Sequence, residues 1–535
     1  MSEQGETRAK DPMSADVAIV GGGLAGLTLA LQLRKAINDI DIVVLERQRH
    51  PLPAATPKVG ESTVEIGAHY LANTLEQREH LKNEQLPKFG LRFFFGDAPQ
   101  DFAQADELGS SRLLSVPTYQ LDRGLLENHL AQAAQDQGVR FVDGVRVNAL
   151  TVNGNNHSVT YKNCSDACRL KTRWLVDTAG RSSPLKANLG LARQNNHNCN
   201  AVWFRVAGKI CVDDWSGSAN WRARCVDLNG KRWLSTNHLM GPGYWVWIIP
   251  LASGITSLGI VADPKLHPPH SMGSFDLALQ WLEQHQPRCA GAVRGRNLLD
   301  FRILRNYSHD CQQVFSDERW ALSGESGVFL DPFYSPGSDF IAISNTFITD
   351  LITRELAGED IRLRSRTYQQ MYMSFFNSTL LLFQNQYPGF GDSQLMMIKT
   401  VWDYAFYWGI LSLLFFSDML TNLDYMNSSG VHLVNVQRCN KKMQALFRRR
   451  AADALRLPPR GIFVDQFEIP CLRELNANLA EPVTGITMSS RVQNNVAVLS
   501  NLSERLEDLL VNGAKGSPDA REKELLGDLR QRLAA

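Results

Sequence analysis

The sequence predicts an α/β fold, and three observations carry the prediction. A strand–glycine turn–helix–strand unit opens the chain, short β-rich runs fill its middle, and helical periodicity takes over from Ile361 onward.

The opening strand is Asp16-Val17-Ala18-Ile19-Val20, which runs into Gly21-Gly22-Gly23-Leu24-Ala25-Gly26 and then an apolar, helix-periodic segment from Leu27 to Leu33. Gly21, Gly23 and Gly26 occupy the three glycine positions of G-x-G-x-x-G. Gly21 permits the tight turn, Gly23 lets backbone amides approach a pyrophosphate, and Gly26 allows close helix–strand packing. A second strand, Asp41 to Leu45, ends at Glu46, 20 residues after Gly26, where a carboxylate holds ribose hydroxyls. The arrangement predicts a Rossmann-type unit with a bound dinucleotide. Glu46-Arg47 and the lack of a second glycine fingerprint for a nicotinamide favour FAD over NAD.

Three further segments extend this unit. Val176-Asp177-Thr178-Ala179-Gly180-Arg181 closes another strand, and Gly324-Glu325-Ser326-Gly327 introduces Phe329-Leu330-Asp331-Pro332. They resemble the D-x-x-G and G-D-x-x-x-x-x-D-P segments of flavoprotein monooxygenases, with Glu325 where those proteins usually carry Asp. The resemblance implies cofactor contacts at Asp177 and Asp331. Tyr119 to Glu127 resembles the helix start where such enzymes place a flavin-contacting Arg or Gln, here Arg123; read by itself it is an amphipathic helix with Asp122 as N-cap.

In the middle of the chain, Gly243-Tyr244-Trp245-Val246-Trp247-Ile248-Ile249-Pro250 reads as a strand. Alternation puts Trp245 and Trp247 on one face, either as plain core or as an aromatic wall that keeps water from a reactive cofactor. Together with Lys58-Val59-Gly60-Glu61-Ser62-Thr63 and Phe329-Leu330-Asp331-Pro332-Phe333-Tyr334-Ser335-Pro336-Gly337, this segment makes the chain similar to flavin-dependent halogenases over about its first 360 residues. The matching patterns are W-x-W-x-I-P, F-x-x-P-x-x-S-x-G and a V-G-E-S/A-T loop over the flavin.

The resemblance implies a defined chemistry. Reduced FAD, supplied by a separate flavin reductase, reacts with dioxygen so that a halide ion becomes hypohalous acid beside the isoalloxazine. A lysine then holds or captures the electrophile and delivers it to an electron-rich aromatic ring. Trp245 and Trp247 keep organic substrate away from the oxidant, and Ser335 and Gly337 belong to the halide-binding loop. The lysine falls in the segment Pro87 to Asp97; Lys88 is the candidate, because a buried amine has a lowered pKa and becomes nucleophilic near neutrality. Arg92 and Lys58 are the alternatives, though arginine stays protonated.

Two departures bear on function. The halogenase pattern implies that backbone amides of the two residues after the signature Ser hold halide, and here these are Pro336 and Gly337. Proline has no N–H. A hydrogen bond to a charged partner contributes about 1.5–3 kcal/mol, so halide affinity falls roughly ten- to a hundredfold unless Ser338 compensates. Tyr334 stands where halogenases of free tryptophan carry a glutamate, which favours a phenol, a pyrrole or a carrier-protein-tethered aryl group as substrate. The alternatives are a halogenase-like monooxygenase or dehydrogenase without halide use, or a non-catalytic flavoprotein partner in a pathway complex.

Composition adds exclusions. Net charge is +1 over 535 residues, so nothing points to a nucleic-acid partner. Nine cysteines without a C-x-x-C pair and a polar N-terminus without a signal-peptide run read as a reduced, cytoplasmic protein. No metal-ligand constellation is evident. His267-Pro268-Pro269-His270 sits in a proline-marked loop without further ligands.

The expected organisation is a discontinuous FAD-binding domain over 14–90, 117–190 and 305–360. A β-rich substrate domain with an antiparallel sheet covers 91–116 and 195–304, and a helical region covers 361–535. The apolar run Ala405 to Phe416 reads as a buried helix rather than a membrane contact, since about 20 residues are needed to cross a bilayer. From Ser503 the chain reads as a solvated helical hairpin broken at Asn512-Gly513.

Overall fold

The computed structural model describes residues 13–511 except 55, 97–98, 155, 164–165, 228–230, 454–457, 482 and 484. The predicted break at Asn512-Gly513, the N-terminal residues before Met13, and Cys164 lie outside the described residues.

The strands that position the site are, in chain order, β1 (Met13–Val20), β2 (Ile42–Leu45), β3 (Leu91–Phe95), β4 (Asp106–Gly109), β5 (Arg140–Val142), β6 (Arg146–Thr151), β7 (His157–Asn163) and β8 (Asp166–Asp177). They continue with β9 (Asn200–Ala207), β10 (Thr236–Gly241), β11 (Tyr244–Pro250), β12 (Ile255–Ala262), β13 (Leu298–Leu304), β14 (Trp320–Leu322) and β15 (Phe463–Asp465). The principal helices are α1 (Leu24–Ala36), α2 (Arg123–Asp136), α3 (Gly337–Leu356), α4 (Arg362–Leu380), α5 (Ser393–Phe406), α6 (Gly430–Ala452), α7 (Pro470–Leu479) and α8 (Gly485–Val511).

The first sheet runs β5-β2-β1-β8-β7-β6, with β14 also on β8. Its centre is parallel: β1 lies between β2 and β8, both in the same direction. Val17 to Val20 and Ile42 to Leu45 are all buried, as strands covered on both faces must be. β7 and β6 continue it as an antiparallel meander.

The second sheet runs β13-β9-β12-β11-β10-β3-β4-β15. It differs from the expected all-antiparallel sheet at two joints: β3 pairs β10 and β15 pairs β4 in parallel. These pairings join segments far apart in sequence, so no short hairpin forces them antiparallel. One of its strands, β15, comes from the C-terminal region.

Period-2 alternation divides β11 cleanly. Trp245, Trp247 and Ile249 belong to the large core shared with the first sheet, whereas Tyr244, Val246 and Ile248 pack in a separate core beneath α-helix Phe275–His285. The Trp-bearing face of the second sheet is therefore the face turned toward the glycine turn.

In the C-terminal region, α5 continues through a π-helical turn, Tyr407–Ser412, into Leu413–Phe416. Trp408, Leu413, Leu414 and Phe415 are buried, as expected for this run, and among the described residues no helix is long and apolar enough to cross a membrane. The expected hairpin from Ser503 differs: residues 503–511 are the last turns of α8. Asp122 also departs from expectation. It holds the N-cap position of α2, where its carbonyl accepts from the Leu126 amide at 2.9 Å, but its carboxylate accepts from the Ser253 amide at 3.3 Å.

Candidate active site

The site begins at the turn between β1 and α1. Gly21 has φ +109°, and a Cβ there would lie 2.6 Å from the Thr178 carbonyl oxygen, so only glycine fits. A Cβ on Gly26 would collide with the Gly21 carbonyl, which lets α1 pack against the strand ends. Gly23 precedes α1 with its open side toward a cavity; the nearest atom to a Cβ there is Glu127 Oε2 at 4.0 Å. Glu46, at the end of β2, accepts from the Gly22 amide at 2.6 Å and the Gln48 amide at 2.7 Å.

The cavity measures about 560 Å³ and runs from Gly21, Gly23 and Glu46 to Trp245, Trp247 and Gly337. Its volume, the glycine cradle and the acid at the strand end fit FAD, whose pyrophosphate the α1 N-terminus would hold. Arg123 lines it and donates to the Val59 carbonyl at 2.6 Å, tying α2 to the Lys58–Thr63 loop. Glu127, which sequence reasoning did not single out, pairs with both Arg123 and Lys58. Burial works against its charge, yet these two cations hold it below the usual carboxylate range. Asp331 and Glu325 also line the cavity. Asp177 does not: it is buried behind the wall, accepting from the Ala179 and Leu185 amides and from Ser326. Burial pushes its pKa up to about 6.

The far end is aromatic. Trp245 and Trp247 are buried on one face with ring centroids 5.7 Å apart. Trp247 donates to Ser257 at 3.3 Å and Trp245 to the Tyr387 hydroxyl at 3.0 Å. Tyr387 in turn donates to Asp331 Oδ2 at 2.6 Å, which also takes Tyr307 at 2.8 Å and His197 at 2.6 Å. His197, Cys199 and Asp331 bring three possible ligand atoms within 4.8 Å of one another. The Asp331 oxygen is already engaged by three donors, so this cluster is a hydrogen-bonded hub rather than a vacant coordination shell. The hub anchors the loop that follows, because Asp331 Oδ1 also accepts from the Phe333 amide at 2.9 Å.

That loop is wound left-handed at Tyr334 (φ +66°) and Ser335 (φ +57°) before α3 begins. Pro336 occupies the N-cap position, and its carbonyl accepts from Asp339 and Phe340. The Gly337 and Ser338 amides stand ahead of those bonds in the first helical turn, at the cavity wall. The Ser338 hydroxyl is buried against Gly67 and finds no partner among the described residues. Tyr334 points its hydroxyl away from the cavity, donating to Asp403 Oδ2 at 3.0 Å, where Lys399 also donates at 2.6 Å.

A profile of the NAD(P)-binding Rossmann-like domain matches residues 19–83. A flavin-dependent halogenase of Dictyostelium discoideum is 24% identical over 430 residues, 74% of this chain and 70% of that protein. A 1H-pyrrole-2-carbonyl-[peptidyl-carrier protein] chlorinase of Pseudomonas fluorescens is 22% identical over 376 residues, 66% of this chain and 79% of that protein. Among solved structures, halogenase PltM superposes with a TM-score of 0.64 at 16% identity, over 92% of this chain and 96% of its own. A flavoprotein/dehydrogenase of Cytophaga hutchinsonii gives 0.58 at 19% identity, over 72% and 88%. The chain is similar to flavin-dependent halogenases in sequence and in fold.

The halogenase resemblance directs attention to Lys88, and the structure buries it. It lies between the short strand Leu86–Pro87 and β3, with 3% of its surface exposed. Its amine donates to Ser62 Oγ at 2.8 Å and to the Thr63 carbonyl at 2.6 Å, and Ser62 lines the cavity. Burial pushes its pKa down to about 7, with Glu65 and Asp339 pulling it back up. The two alternatives are committed elsewhere: Arg92 is buried against Glu107, and Lys58 pairs with Glu127.

Glu65 and Asp339 escaped the sequence reading. Glu65 starts the helix Glu65–His69, three residues past Ser62, and Asp339 lies in the first turn of α3. Both carboxyls are raised by burial, Asp339 to about 7. Asp339 accepts from Tyr407 at 2.6 Å and from the Gly67 amide at 2.8 Å. No local pattern marks them, because Lys88, Glu65 and Asp339 sit on three separate elements.

Proposed function

We propose that this chain is an FAD-dependent halogenase that installs chloride or bromide on an electron-rich aromatic ring. The observation that carries the reading is a buried amine of near-neutral pKa, joined through Ser62 to a flavin-sized cavity whose far wall is a pair of tryptophans. Bound reduced FAD supplies the two electrons with which dioxygen and halide yield hypohalous acid.

The chain's own residues do the rest. Gly21, Gly23 and Gly26 with Glu46 hold the dinucleotide, and Arg123 fixes the loop over it. Trp245 and Trp247 close the cavity to organic substrate, so that only a small anion reaches the oxidising end. The amides of Gly337 and Ser338, at the start of α3, are the halide donors left where Pro336 has none. At neutral pH Lys88 is half deprotonated and able to take up the electrophile and pass it to carbon. Asp339, raised by burial to about 7, is placed to accept the proton the ring releases.

Tyr334 supports a substrate other than free tryptophan, since its hydroxyl is engaged with Asp403 and it offers no carboxylate. A phenol, a pyrrole or a carrier-tethered aryl group fits; the Pseudomonas fluorescens relative bears the name of a carrier-bound pyrrole chlorinase. A second reading, flavin oxidation without halide use, is favoured by Pro336 and by the structural likeness to the Cytophaga hutchinsonii flavoprotein/dehydrogenase.

The test is turnover with a separate flavin reductase, chloride or bromide, and a panel of phenols, pyrroles and carrier-bound aryl acids. Mass spectrometry distinguishes halogen incorporation from oxygen insertion. Halogenated product supports the first reading; oxygenated or dehydrogenated product without halide dependence replaces it with the second.

A further inference from the structure

One buried acid in the cavity has no part in the scheme above. Glu61 lines the flavin cavity with 3% of its surface exposed. Its carboxyl hydrogen-bonds Ser257, the residue that accepts from the Trp247 indole. The nearest cation is Arg205, whose Nη1 lies 3.5 Å from Glu61 Oε1. Arg205 is already neutralised, because its Nη2 lies 2.8 Å from Asp300 Oδ2. The same guanidinium donates to the Thr56 carbonyl, which fixes the loop against the second sheet.

The other charged groups facing Glu61 are Arg123 and Asp122 at the start of α2. Arg123 is committed to Glu127, and Asp122 adds like charge. Two acids thus share Arg205, and Glu61 is the more buried and more distant of the two. Burial, relieved in part by Arg205, Ser257 and Arg123, pushes its pKa up to about 7.

We infer that Glu61 is the general acid of the cavity, supplying the proton consumed when halide is oxidised. The inference rests on the halogenase reading. Reduced flavin as FADH2, dioxygen, halide and one proton give oxidised flavin, hypohalous acid and water. Dioxygen accepts four electrons, two from the flavin and two from the halide; the flavin's two hydrogens and the added proton become those of HOX and H2O. Glu61 supplies that proton at the Trp-lined end of the cavity and is reprotonated from solvent between turnovers. A carboxyl that is half protonated near neutrality suits this work, because it both releases and recovers a proton at that pH.

The test has two arms. Infrared difference titration of the flavin-free protein should show carboxylic acid intensity from Glu61 and Asp339 disappearing around pH 7, and E61Q should lose the Glu61 share while the Asp339 share stays. In the FAD-loaded protein, the halide-dependent formation of hypohalous acid, read with a diffusible trap, should fall as pH rises above about 7. E61Q should lower that rate about 10²- to 10⁴-fold and abolish the pH dependence, while E61D retains part of both. D300N supplies an independent check: it frees Arg205 to stabilise the Glu61 carboxylate, so both the infrared transition and the rate profile should move to lower pH.

Carboxylic acid intensity near neutrality that is the same in E61Q as in the parent, or an E61Q rate and pH profile equal to the parent's, overturns the inference. If E61Q fails to hold flavin, an unmoved D300N profile overturns it. The infrared result does not depend on halide, so a band that titrates as expected in a protein making no hypohalous acid would sink the halogenase reading instead.

Discussion

Replacing Lys88 by methionine removes the amine while keeping an unbranched side chain of similar length in the same pocket. The magnitude follows from burial. At pH 7 an amine with pKa about 7 is half deprotonated, whereas one at the ordinary 10.5 is deprotonated in about one molecule in 3,000. Burial therefore raises the reactive fraction about 10³-fold, and K88M should lower halogenated product by at least about that factor. Trp245, Trp247 and the cradle are untouched, so flavin binding and trapped hypohalous acid should stay near the parent's. K88R keeps the charge but stays protonated, and it should not rescue.

The sign of the pH dependence is fixed as well. Ring halogenation per hypohalous acid formed should rise with pH through about 7 as Lys88 loses its proton. The assay is product by mass spectrometry against trapped hypohalous acid, each measured from pH 6 to 9 or so. Product within tenfold of the parent in K88M, rescue by K88R, or a ratio of product to hypohalous acid that falls with pH over this range would refute the reasoning. The last two outcomes would instead favour a protonated Lys88 that merely hydrogen-bonds the electrophile.

Three further changes probe the site from other sides. G26A places a methyl group against the Gly21 carbonyl, so α1 must shift; the purified protein should lack the yellow flavin absorbance, and a normal flavin spectrum would contradict the cradle geometry. P336S restores an amide at the start of α3, and the halide KM should drop roughly tenfold or more; an unchanged KM would mean that the Gly337 and Ser338 amides already suffice. Y334F removes the donor to Asp403, leaving that buried carboxylate with Lys399 and Gln444. Denaturant unfolding should show a loss of about 1–3 kcal/mol; a change under about 0.5 kcal/mol would mean that the hydroxyl does not anchor the loop.

The Asp331 hub bears on how the helical region serves the site. Trp245 reaches Asp331 through Tyr387, a residue between α4 and α5, and Tyr334 reaches Asp403 on α5. The two sides of the Trp-lined end are thus each bonded to the helical region. All three of these bonds have one partner in that region.

What was legible in the sequence was local. The glycine cradle, Glu46 at the end of β2 and the shared face of Trp245 and Trp247 follow from spacings of a few residues, because turn sterics and strand alternation act between near neighbours. Even the burial of Lys88 was a fair expectation from the aromatic strand beside it. Roles set by surroundings were not legible. Asp177 stands in a motif but faces away from the cavity, and Asp122, at the N-cap of α2, also takes the distant Ser253 amide. Glu61 meets Arg205, itself paired with Asp300, and Lys88 meets Glu65 and Asp339, only because two sheets and α3 converge on one loop. Protonation near neutrality is decided by desolvation and by charges brought together across hundreds of residues, and neither exists until the chain has folded.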